Sequence, residues 1–107
     1  AGTSWEGMVI ENVATVAGNR AEASFYRTSG GAEVDLVLAW ADGAKWAIEV
    51  KRSLAPKVER GLRSALEDIE PERAFVVYPG EERFRLPAGV EAIGLAELCG
   101  AVADRST

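Results

Sequence analysis

The sequence predicts an α/β domain: a mixed β-sheet flanked by helices, in the order α-β-β-β-α-β-β-α. Three observations carry this. Residues 33–51 form two runs that alternate apolar with polar or small residues, separated by Asp42-Gly43, the pattern of a β-hairpin. Residues 3–17 and 57–69 instead space their apolar side chains by three and four, the helical period. The second helical stretch lies between the hairpin and a further apolar run, Arg73–Tyr78. That allows a parallel crossover, which would be right-handed.

Taken in order, the first helix is expected over Thr3–Ala17. Trp5, Met8, Val9, Val13 and Val16 make its stripe, Thr3 and Glu6 suit a capping box, and Gly18-Asn19 is a stop. Ala23–Thr28 reads as a strand, and Ser29-Gly30-Gly31 as a turn. In the hairpin, Val34, Leu36, Leu38 and Trp40 share one face with Trp46, Ile48 and Val50 of the second strand. Placing both apolar sets on one side pairs Trp40 with Trp46, Asp35 with Lys51 and Val37 with Glu49. Pro56 suits the start of a helix over Lys57–Ile69, with Val58, Leu62, Ala65, Leu66 and Ile69 as its stripe and Pro71 as its stop. Arg73–Tyr78 is apolar almost throughout, as befits a strand covered on both faces. An irregular stretch over 81–89, a strand over Val90–Leu95, a helix over Ala96–Val102 and a frayed tail complete the chain. Trp40, Trp46, Phe25 and Phe75 are expected in the core, with Cys99 as a small buried apolar residue.

Residues 1–107 suffice for one domain. The formal charge of −5 argues against nonspecific nucleic-acid binding by the whole surface, although a local basic patch remains open. The absence of His removes His general bases, Ser-His-Asp and Cys-His schemes, and His-ligated zinc. The lone Cys99 rules out an intrachain disulfide and suits a reducing, cytoplasmic setting. No stretch approaches the ~20 apolar residues of a membrane span, so no membrane partner is expected. A chain opening on Ala1 suggests a piece of a larger parent.

Chemistry concentrates on the hairpin. The expected register brings Asp35, Glu49 and Lys51 together on the polar face, near its open end. Two carboxylates in mutual reach suit a hard divalent cation such as Mg²⁺, or Mn²⁺, and such an ion stabilises phosphoryl oxygens and activates water. Lys51 beside it suits a phosphate oxygen or that water. Lys51, Arg52, Lys57, Arg60 and Arg63 set five cations against the single acid Glu59, a run suited to a phosphate backbone. Simpler readings stand beside these. The three hairpin residues also suit a cross-strand ion pair with a spare carboxylate, the basic run a solvated helix face, Glu6 a cap, and Glu33 plain exposure.

Asp35, thirteen residues, then Glu49-Val50-Lys51 resembles the PD-(D/E)xK motif of the restriction-endonuclease-like nucleases. The order of hairpin, helix and strand resembles that family's core. The run Trp5-Glu6, Phe25-Tyr26-Arg27-Thr28, Gly31-Ala-Glu33-Val-Asp35 and Ile48-Glu49-Val-Lys51 is similar to the C-terminal domain of a large prokaryotic group of AAA-type ATPases. The resemblance implies a restriction-endonuclease-like fold. It also implies Asp35, Glu49 and the Val50 carbonyl as metal ligands, Lys51 as the catalytic lysine and Glu6 as a helix-borne acid. DNA would be the substrate and an ATPase module of the parent chain the partner; a homodimer is expected if the domain serves self-association instead. Val34 stands where the motif has Pro, and no G-x-x-x-x-G-K-[ST] loop is present. A non-enzymatic reading remains: a nucleic-acid-binding or self-association module of such an ATPase.

Overall fold

Ser4 accepts a hydrogen bond from the Gly7 amide (2.9 Å) and so starts the first helix, α1, at Trp5–Ala17. The cap falls one residue beyond the expected Thr3, which lies outside the described residues: the computed structural model describes residues 4–105. Gly18 (φ 58°) ends the helix as the sequence requires. Six strands and two further helices follow: β1 (Ala21–Arg27), β2 (Glu33–Trp40), β3 (Lys45–Val50), α2 (Arg60–Ile69), β4 (Arg73–Val77), β5 (Phe84–Arg85), β6 (Val90–Ile93) and α3 (Leu95–Asp104). They build one mixed sheet in the order β1-β2-β3-β4-β6-β5. The expected crossover is present, since β3 and β4 are parallel and joined through α2. The two-residue β5 pairs with β6 inside the stretch expected to be irregular.

Both faces of the sheet are covered. On one, α1 (Val9, Val13, Ala17) and α3 (Leu98, Val102) pack on Leu36, Leu38, Trp40, Trp46, Ile48, Val50, Phe75, Val77 and Ile93. On the other, Leu62 and Ala65 of α2 pack on Val34, Val37, Ala47, Ala74, Val76 and Val90. The second face of the hairpin is therefore an apolar layer, not the solvated polar face its alternation suggests. Gly61 lets α2 sit close: a Cβ there would come within 2.8 Å of the Gly31 carbonyl. Phe25 departs from the expected core and is 70% exposed, because it lies on the edge strand beyond the reach of either helix layer. No described helix is long and apolar enough to cross a membrane.

Two corrections bear on the site. The hairpin pairs Leu38 with Trp46 and Leu36 with Ile48, a shift of two residues from the expected pairing. The cause is the turn. The Trp40 amide donates to the Ala44 carbonyl (2.8 Å), leaving Ala41-Asp42-Gly43 as a three-residue loop with Gly43 at φ 92°. A shift of two preserves the faces but changes every partner. Val37 faces Ala47 rather than Glu49, and one further step would bring Asp35 level with Glu49 rather than Lys51. The second correction is a β-bulge. Ser24 pairs with Val37 but Tyr26 with Val34, so Asp35 and Leu36 together oppose Phe25. Beyond the bulge the alternation flips, and Val34 joins the α2 layer instead of the face it was expected to share with Leu36.

Candidate active site

The bulge places Asp35 where the β2–β3 ladder ends. Its carboxylate takes over a role a backbone carbonyl would play, accepting the Val50 amide (2.9 Å to Oδ2). In return Glu49 Oε1 accepts the Asp35 amide (3.2 Å). Each acid thus has one oxygen fixed by main chain, and the two carboxyls meet. Glu49 is 7% exposed and is the one charged residue among the described residues that is buried. Burial pushes its carboxyl up to about 8, and the charge of Asp35 and a hydrogen bond with it add to the rise. Lys51 works in the opposite direction but does not prevail.

Lys51 stands at the rim. Its Nζ is 3.8 Å from Glu49 Oε2, too long for a hydrogen bond, and bonds instead to Glu59 Oε1 at the N-cap of α2. Burial works to lower the ammonium's pKa, but the Glu59 bond and the Glu49, Glu59 and Asp35 charges outweigh it and raise the value. The bond to Lys51 holds the Glu59 carboxyl below its ordinary range.

The structure thus gathers Asp35, Glu49, Val50 and Lys51, four of the residues singled out in the sequence. It does not join Glu6 to them. Glu6 is exposed on α1, the helix that covers the opposite face, and among the described residues no three His, Cys, Asp or Glu side chains form a group able to hold a metal ion. Arg52, Lys57, Arg60 and Arg63 are all exposed. Lys57 and Arg52 belong to the irregular segment before α2, which begins at Arg60 rather than Lys57, with Pro56 buried ahead of it. Glu33 pairs with Arg27 (3.4 Å), and Tyr26 donates to Asp68 (2.7 Å), so neither enters the site. Two features escaped the sequence. The bulge leaves no mark in a strand whose alternation reads both ways, and Glu59 is joined to Lys51 across a loop that no spacing rule describes.

The donor set fits a small hard cation. Two carboxylates with bound water and substrate oxygens are a usual arrangement for Mg²⁺, and a buried acid facing a second acid is a place where a cation can take over from a proton.

The model of a family described as Domain of unknown function (DUF4143) matches residues 1–98, and the chain belongs to that family. Two uncharacterized proteins, one from Mycobacterium bovis and one from Mycobacterium tuberculosis, are each 39% identical to it over 92 residues, 86% of this chain. The chain spans only 20% of the length of either relative. No solved structure gives a significant match.

Proposed function

We propose that this domain is a PD-(D/E)xK-type nuclease unit acting on DNA phosphodiesters with Mg²⁺ or Mn²⁺. The observation that carries the reading is the meeting of half-buried Asp35 with buried Glu49, the first carboxyl held by the Val50 amide, the second by the Asp35 amide, with Lys51 at the edge. In a purely structural site an acid so placed would be hydrogen-bonded to a cation; here it meets another acid, and its ion pair with Lys51 is a long one of 3.8 Å. Asp35, Glu49 and the Val50 carbonyl would hold the ion, which when bound supplies Lewis-acid stabilisation of a phosphoryl oxygen and a more acidic water. Lys51 would bind a phosphate oxygen or orient the water. Arg52, Lys57, Arg60 and Arg63 would follow the phosphate backbone over the α2 side. The rest of the parent chain would carry an ATPase module. The test is incubation with DNA and Mg²⁺ or Mn²⁺ beside an Asp35→Ala control. Cleavage that survives the substitution unchanged refutes the assignment.

A second reading, a non-catalytic nucleic-acid-binding or self-association module of an ATPase, draws on one observation: Glu6 does not join the pair, which leaves two carboxylates alone. It expects no heat on titration with millimolar Mg²⁺ or Mn²⁺, and DNA binding or dimerisation that ignores both ions.

A further inference from the structure

We infer that Glu59 is a positioning residue: it draws the Lys51 ammonium off the Asp35–Glu49 carboxylates and so keeps their oxygens open to a divalent cation. The inference rests on the metal reading of the site and adds a residue outside the PD-(D/E)xK pattern. A lysine ammonium is a compact charge on a flexible four-carbon stem and settles on the best acceptor within reach. Two acceptors are in reach of Lys51. It bonds to Glu59 Oε1 and stands off Glu49 Oε2 at 3.8 Å. Without Glu59, Glu49 is the remaining partner, and an ammonium drawn onto it would occupy the oxygen and the charge that a hard cation needs.

Glu59 suits this task and has no other visible one. It occupies the N-cap of α2, yet its side chain makes no capping bond. Among the described residues its side chain has one hydrogen-bond partner, Lys51. The position is rigid, because Arg63 donates its amide to the Glu59 carbonyl (3.0 Å) and Gly61 seats the helix against Gly31. Taken alone, an exposed lysine–glutamate pair contributes little to stability. The consequence of this pair lies in where it leaves the ammonium.

The experiment is calorimetric titration of Mn²⁺ into the unsubstituted chain and into Glu59→Gln, Glu59→Asp, Lys51→Ala and the Glu59→Gln/Lys51→Ala double variant. Loss of Glu59 is expected to weaken Mn²⁺ binding about tenfold, the scale on which supporting groups act at metal sites. Glu59→Asp is expected to recover most of that. In the Lys51→Ala background Glu59→Gln is expected to change nothing, because the effect passes through the ammonium. The melting temperature without metal is expected to be the same for Glu59→Gln, since no cap bond is removed. Equal affinity in Glu59→Gln and the unsubstituted chain overturns the role of Glu59 and leaves the metal reading intact. So does an equal weakening with and without Lys51, which would mark Glu59 as a distant charge only. No Mn²⁺ binding by the unsubstituted chain overturns the metal reading itself, and this inference with it.

Discussion

A pair of carboxylates meets a cation at each end of the β2–β3 hairpin, and the two groups are built in opposite ways. At the turn, Arg105 Nη2 lies 3.1 Å from Asp42 Oδ2 and 3.0 Å from Glu72 Oε1, and its guanidinium stacks on Trp40. The Ala44 amide also bonds to Asp42 (2.9 Å), and the Trp46 indole to Glu72 (2.9 Å). The Ala44 amide and then Arg105 hold the Asp42 carboxyl below its ordinary value, and the Trp46 indole and then Arg105 do the same for Glu72. At the open end the cation has turned to a third acid, and Glu49 is left buried against Asp35 with its pKa raised. A site shaped for stability brings opposite charges together. The open end keeps two carboxyls together in a largely buried place and so holds a proton on Glu49, an arrangement that folding alone does not favour and that a bound cation would relieve.

The largest expected effect breaks the open end. Asp35→Ala and Glu49→Gln are each expected to lower metal-dependent DNA cleavage by about 100-fold or more, since the first removes a ligand of the proposed cation site and the second its anionic charge. Gel assays across a Mg²⁺ and Mn²⁺ series measure this. Glu49→Gln is expected to do so without destabilising the metal-free fold near neutral pH, because the amide replaces a carboxyl that holds its proton there and keeps its shape.

Next comes the pH dependence, where the two ends have opposite signs. The Glu49 carboxyl is raised to about 8, so between its ordinary value near 4.5 and 8 the folded chain binds the proton that the unfolded chain has lost. Its contribution is present at acid pH and falls away as pH rises through that window. Asp42 and Glu72 are lowered, so their contributions hold above their ordinary values and vanish as pH falls below them. Thermal melts from pH 3 to 9 are expected to show stability lost on both sides. Glu49→Gln should flatten the alkaline limb and leave the acid limb in place, and saturating Mn²⁺ should flatten the alkaline limb as well.

Arg105→Ala attacks the turn end. It removes the shared partner of Asp42 and Glu72 together with the cover over Trp40, and a fall of several degrees in melting temperature is expected, with Mn²⁺ affinity unchanged. A change in Mn²⁺ affinity would show that the two ends are coupled rather than contrasted. The smallest effect is on the α2 surface. Arg60→Glu or Arg63→Glu should weaken DNA binding evenly across sequences and reduce the salt slope by about 1 each, with no change in the melt.

Much of this molecule is legible in its residues. Period-2 and period-3.6 patterns locate both long hairpin strands and the first two helices, and the near-continuous apolar run Ala74-Phe75-Val76-Val77 marks the central strand that β3 and β6 enclose. Boundaries were harder to place. Pro56 looks like a first helical residue, but the helix begins only at Arg60, with Glu59 as its N-cap and Gly61 close against the Gly31 carbonyl. Phe25 carries the composition of a core residue and lies outside the core, since position in the sheet order, not residue type, decides cover.

The linear order of side chains settled which residues from Leu36 to Val50 share a face, because a hairpin slip of two conserves parity, and it marked Asp35, Glu49 and Lys51 as candidates by type and spacing; Val34, beyond the bulge, went to the other layer. Only the folded chain decided who meets whom. A three-residue loop closed by Gly43, and one extra residue in β2, put acid opposite acid and sent the lysine to Glu59. Those choices rest on backbone hydrogen bonding and helix docking, which act across the sheet and leave no trace in the order of the side chains along one strand.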